Sequence, residues 1–169
     1  MKSKKNGNIS LTHFSDILRF TLLYKYGGIW FDATIFQSGD LYDCIKDYDF
    51  FTLRGYNDKP YWTSFFVASA KGNIVSKFMM EFYYIYWKNE NALIEYLLID
   101  DLLQIGYEET PTIKSCIDKI PKILQDEEIY KLYYIWFMEK WDKDVFKKLC
   151  NEAPIHKLSW KFSKKKKII

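Results

Sequence analysis

The chain of 169 residues is 49% hydrophobic and 20% aromatic, enough to bury a real core, which excludes an intrinsically disordered protein and suits one domain. Its net charge is only +3, and Lys164, Lys165, Lys166 and Lys167 carry that surplus, so the near-neutral body argues against nucleic acid as a partner. Cys44, Cys116 and Cys150 are widely spaced and in no CxxC arrangement, which fits a reducing cytoplasm without a zinc site, and no apolar run nears the ~20 residues of a membrane span.

Residues 1–8 are polar and expected to fray, and their basic start lacks the apolar stretch of a secretory signal. The first helix is predicted at about 12–26. It is apolar almost all round, through Phe14, Ile17, Leu18, Phe20, Leu22, Leu23 and Tyr24, and is therefore expected to be buried. Asp16 and Arg19 nevertheless fall i,i+3 on one of its faces. Gly27-Gly28 stops the helix. Ile29, Trp30 and Phe31 read as a short buried strand, and Asp32-Ala33-Thr34 stands where it ends, the place at which open α/β sheets bind ligands.

Beyond it, residues 37–40 read as a turn and 41–46 as a helical turn or two. Residues 49–54 and 61–70 read as apolar strands around a polar loop. Helices are predicted at about 74–87 and 92–105, the second ended by Gly106, with Asp100 and Asp101 inside its apolar second half. Thr110-Pro111 opens a short helix that Pro121 ends, and two more helical stretches follow at 127–139 and 143–151. Residues 155–160 read as extended. The final KKKKII is too short and charged to fold, and no repeat or linker is evident.

The order Ser15-Asp16, Arg19, Leu23-Tyr24, Gly27-Gly28, Asp32, Thr34 resembles the signature of sugar transferases that carry a DXD motif. It is most similar to the capsular polysaccharide synthesis proteins, which often have Asp-Ala-Thr in place of Asp-x-Asp. Initiating mannosyltransferases and the large glucosylating toxins are more distant relatives. Ile155-His156-Lys157-Leu158-Ser159-Trp160-Lys161 matches the family's closing segment, which returns across the active site. The resemblance runs over about 9–162. It implies an α/β, GT-A-like (Rossmann-like) core for nucleotide-diphospho-sugar transfer, helix-rich in its C-terminal half, between flexible termini at 1–8 and 163–169. In the family a strand–helix–strand unit holding the nucleotide precedes the first motif, and almost nothing precedes it here. The expectation is therefore an N-terminally truncated enzyme or, alternatively, a non-catalytic remnant of one.

Breaking the bond between a sugar and a diphosphate develops negative charge, which a metal held by carboxylates usually meets. In the family's pattern, alternation along an extended segment puts both carboxylates on one side. Asp32 takes the first role, toward sugar or ribose. Thr34 stands at the second, where a hydroxyl is a poorer ligand for Mn²⁺ or Mg²⁺. The resemblance assigns Asp16 and Arg19 to the donor's sugar, His156 to the metal with Asp32 and Thr34, and Ser159, Trp160 and Lys157 to the diphosphate and base. Asp100, among Leu97, Leu98, Ile99, Leu102 and Leu103, is the candidate base for an acceptor hydroxyl; facing solvent beside Asp101 is the competing reading. Trp62, Ser64 and Phe65 are weaker candidates on the acceptor side, where core packing is the rival role. The expected partners are a nucleotide-sugar donor and a glycan or lipid-linked acceptor. The expected location is the cytoplasm, with Lys164 to Lys167 touching the inner face of a membrane or simply solvated.

Overall fold

A computed structural model describes residues 11–54, 62–90, 93–122, 126–138 and 142–159. In chain order these form α1 (Leu11–Tyr26), β1 (Gly28–Phe31), β2 (Ile35–Gln37), α2 (Tyr42–Ile45), β3 (Phe50–Thr52), β4 (Phe66–Ser69), α3 (Ile74–Asn89), α4 (Leu98–Glu109), α5 (Pro111–Asp118), α6 (Asp126–Met138), α7 (Lys143–Glu152) and β5 (Ile155–Lys157). The architecture is mixed α/β, with seven helices and two small sheets among the described residues. No helix there is long and apolar enough to cross a membrane. The chain divides into two compact units and crosses between them several times. One comprises Met1–Trp30, Tyr48–Thr52 and Val67–Pro121; the other comprises Phe31–Asp47, Leu53–Phe66 and Lys122–Ile169.

The first unit packs α1 against α3, with α4 and α5 alongside, and carries most of a three-stranded sheet ordered β1-β4-β3. β3 and β4 are antiparallel and buried at every position, Phe50 facing Ser69 and Thr52 facing Val67. β1 lies at the sheet edge and is half-exposed, not buried as its apolar letters predict. At the end of α1, Gly27 and Gly28 hold φ of +71° and +105°. A Cβ on Gly27 would sit 2.8 Å from the Lys71 backbone nitrogen, so the chains approach there only because that atom is missing. The Gly72 N–H donates to Tyr24 O at 2.8 Å and fixes the same junction. The start of α3 is capped by Asn73, whose side chain accepts from Val75 N–H at 2.8 Å.

α4 corrects the sequence reading at both ends. It starts at Leu98, after a loop in which the Glu95 carboxylate accepts from the Tyr96 N–H, and it runs through Gly106 to Glu109. Gly106 is there for packing. A Cβ would stand 2.8 Å from the ring of Phe78, whereas the stop comes from Pro111, which restrains the residue before it. Asp100 and Asp101 consequently lie in the first turn, where the helix dipole favours carboxylates.

In the second unit, β2 pairs antiparallel with β5: Ile35 faces Lys157, Phe36 faces His156 and Gln37 faces Ile155. β2 carries no strand signal of its own in its three residues. α6 packs on β5 and on α7, with a Lys131–Glu152 ion pair at 2.9 Å, and Asp142 caps α7 by accepting from Asp144 N–H and Val145 N–H. The predicted strand at 61–70 forms only as β4, and Trp62, Thr63, Ser64 and Phe65 lead into it as irregular chain. The expected flexible termini, Trp160 and the lysine tail lie outside the described residues.

Candidate functional site

In the first unit the polar groups cluster on the inner face of α1. His13, Asp16, Arg19, Phe20 and Leu23 are buried there, at the three- and four-residue spacing of one helix face. The apolar stripe faces outward instead: Leu11 is 87% exposed and Phe14 53%, with Leu18 and Leu22 partly exposed behind them. The uniformly apolar helix is therefore not buried all round, because its inner face is taken by the charged pair. Arg19 Nη1 stands 3.4 Å from Asp16 Oδ1, their side chains 3% and 11% exposed. The guanidinium lies 5.2 Å from the centroid of the Trp30 ring, a cation–π contact.

Tyr83, on the buried face of α3, shares the electrostatic environment of this pair. Burial raises its phenol above the ordinary tyrosine value; Asp16 and Asp100 add to the rise and Arg19 opposes it. Asp100 is half-buried, and with Tyr83 it brings α4 into the same group as α1 and α3. His13 is buried beside Trp87 and Tyr96, at ring distances of 6.2 and 6.3 Å, and burial lowers its pKa.

The second unit builds its polar group on a turn. Ile35 N–H donates to Asp32 O at 2.9 Å and closes residues 32–35 as a β-turn, while Asp32 N–H donates to Phe65 O at 2.9 Å. The Asp-Ala-Thr segment is thus not extended, and alternation does not set the relation of Asp32 to Thr34. Thr34 is tied to the end of β5 twice: its carbonyl accepts from Leu158 N–H at 2.8 Å, and its Oγ1 accepts from Lys157 Nζ. The ammonium also sits 5.3 Å from the centroid of the Phe65 ring. Asp32, Thr34, Lys157 and Ser159 are all half-buried, as are Trp62 and Ser64.

His156, adjacent to Lys157, is 0% exposed and stacks on Phe36 at 5.9 Å. Ser38 Oγ donates to Ala153 O at 2.7 Å and lies 3.1 Å from His156 Nε2. With the serine proton committed to the carbonyl, the assignment that satisfies both bonds has Nε2–H donating to Ser38. Burial pushes the imidazole below its ordinary pKa, the Ala153 backbone opposing. Of the three side chains expected to hold a divalent cation, His156 is enclosed, with Nε2 against Ser38 and a buried Nδ1 that has no hydrogen-bond partner among the described residues, and Thr34 Oγ1 accepts from the Lys157 ammonium. No group of three His, Cys, Asp or Glu side chains gathers among the described residues. Ser38 and Tyr83 are the residues missed from sequence. One tyrosine among 14, on a helix crowded with aromatics, carried no distinguishing signal.

One family profile, described as "Capsular polysaccharide synthesis protein", matches residues 1–168. Searches of curated proteins and of solved structures find no match.

Proposed function

Because the chain belongs to the capsular polysaccharide synthesis protein family, we propose that it is a glycosyltransferase with a GT-A-like core, moving a sugar from a nucleotide-sugar donor to a surface polysaccharide or a related glycan acceptor. The observation that carries this reading is the anchored cation: Lys157, gripped by Thr34 Oγ1 and lying near the face of Phe65, at the turn that Asp32 opens. When the bond between the anomeric carbon and the diphosphate oxygen breaks, the electron pair leaves with the nucleoside diphosphate. A preorganised ammonium stabilises that departing charge. Asp32 is assigned to a hydroxyl of the ribose or sugar, and Ser159 and Trp160 to the donor's diphosphate and base. The incoming oxygen belongs to an acceptor hydroxyl, on a glycan or a lipid-linked sugar, whose proton is released to solvent.

In this reading Lys157 supplies the positive charge that Mn²⁺ or Mg²⁺ provides in relatives with a second carboxylate. The test is calorimetric titration of the full chain with UDP, GDP and their hexose conjugates, in Mn²⁺ and in EDTA. One nucleotide family is expected to bind and raise the melting temperature, with affinity kept in EDTA. Absence of heat and of any thermal shift with every ligand would overturn the transferase reading. Binding that vanishes in EDTA would overturn the role given to Lys157.

A further inference from the structure

β5 begins at Ile155, directly after Pro154, which has no N–H to give to a ladder. It pairs with β2 over three residues, too few for the pairing alone to fix its register firmly. That register matters, because successive side chains of a strand point to opposite faces. His156 stacks on Phe36 across the pair. Lys157, the next residue, points the other way, to Thr34 Oγ1, and lies 5.3 Å from the centroid of the Phe65 ring. A slip of one residue would exchange the two faces and take the ammonium away from Thr34. At the far end of β5 the pairing is fixed by Leu158 N–H, which donates to Thr34 O at 2.8 Å. At the near end the fixing residue is Ser38. Its N–H donates to Pro154 O at 2.8 Å, its Oγ donates to Ala153 O at 2.7 Å, and the same Oγ lies 3.1 Å from Nε2 of the fully buried His156.

We propose that Ser38 is a positioning residue: its side chain locks the register of β5 and thereby holds the Lys157 ammonium at the Asp32 turn, in place for a nucleoside diphosphate. This role rests on the transferase reading above and deepens it. The backbone bond of Ser38 would survive a change of side chain, so the hydroxyl adds something the main chain does not. It donates one proton and accepts another, which is what a carbonyl on one side and an imidazole N–H on the other require. Ala153, at the end of α7, and His156, on β5, stand three residues apart, and one register of β5 lets a single oxygen bridge both. Both are buried, where a lost hydrogen bond is costly, so that register is strongly preferred over its neighbours. An ammonium held in place before the ligand arrives loses less freedom on binding. Ser38 therefore acts on the nucleotide through Lys157 and needs no contact of its own.

The experiment compares the wild-type chain with Ser38→Ala and with Ser38→Thr, which keeps the hydroxyl, each with and without Lys157→Met. Every chain is melted first and then titrated with UDP and GDP well below its own melting temperature, so that all are native. Expected for Ser38→Ala is about threefold to tenfold weaker binding of the nucleotide that the wild type prefers, restored to within about twofold by Ser38→Thr, and no further loss where Lys157→Met is already present. The free chains are also treated with an amine-acylating reagent, and mass spectrometry reads modification of Lys157 against the exposed Lys143. Ser38→Ala should speed acylation of Lys157 about threefold or more and leave Lys143 unchanged. Nucleotide affinity equal to wild type in Ser38→Ala would overturn the proposal. So would an equal loss with and without Lys157, which would show Ser38 acting by another route, or acylation of Lys157 at the wild-type rate. A wild-type chain that binds neither nucleotide is a different result. It removes the transferase reading, and the acylation rate then decides by itself whether Ser38 holds Lys157.

Discussion

The inner face of α1 and the turn opened by Asp32 handle charge in opposite ways. On α1 the ionic groups are sealed in, and the helix packing that buries them also sets their geometry, so the site and the core share the same atoms. At the turn the backbone is fixed by main-chain hydrogen bonds from Asp32 to Phe65 and from Ile35 to Asp32, which need none of the side chains. Lys157 sits on that framework half-buried, held by Thr34 Oγ1. Substitution in the first region should therefore remove fold and function together, and substitution in the second should remove function alone.

The largest expected effect is Arg19→Met. It leaves the Asp16 carboxylate buried without its counter-charge, a loss of about 3–5 kcal/mol. In a chain of this size that lowers the melting temperature by ~10 °C or more. Changing Asp16→Asn as well should recover part of the loss, because the uncompensated charge disappears. A single variant that melts like wild type would break the comparison, since the pair would then not be part of the core. Gly27→Ala comes next. It forces a side chain into φ +71° and within 2.8 Å of the Lys71 backbone, an expected cost of about 1–3 kcal/mol by denaturant unfolding. It touches backbone only and none of the candidate ligand-binding side chains, so it shows how much ligand affinity is lost through instability alone.

Lys157→Met is the matching test in the second unit. It keeps a flexible apolar stem near the Phe65 ring and deletes the charge. Stability should stay within about 0.5 kcal/mol of wild type, while affinity for the nucleoside diphosphate falls about tenfold. A large loss of stability with unchanged affinity would mean that Lys157 serves the fold, and the two regions would cease to differ.

What could be read from the letters follows the same divide. The span of α1, its glycine stop, Asp16 and Arg19 on a shared face and the position of Asp32 are all local matters of period and backbone freedom, and all were legible. Which way α1 faces was not. An apolar count cannot tell that Asp16 and Arg19 turn inward while Leu11 and Phe14 turn out, because that depends on what α3 presents to them. β2 escaped notice for a related reason: three residues form a strand only because β5 arrives from more than a hundred positions away. Gly106 misled because a glycine that makes room for Phe78 looks the same in sequence as one that ends a helix. Lys157 stands out in the sequence only as part of the closing segment, and its grip on Thr34 needed the pairing of β2 with β5.

The smallest effect expected is acid sensitivity, and it distinguishes the units again. His156 in the second unit and His13 in the first are both held neutral by burial, with native pKa values below the ordinary 6.5. Above about pH 6.5 neither state of the chain takes up a proton at these sites, and their contribution is level. Below it the unfolded chain binds protons that the native chain refuses, so stability falls with pH until the lowered native values are reached, and then levels off. Melting curves from pH 8 to pH 5 should show that decline. His156→Gln, whose amide can still donate to Ser38, should flatten the slope if the second unit limits acid stability. His13→Gln should flatten it if the first does. A slope untouched by either change would place the sensitive group elsewhere. It would also mean that burial of these two rings does not cost the native state its proton.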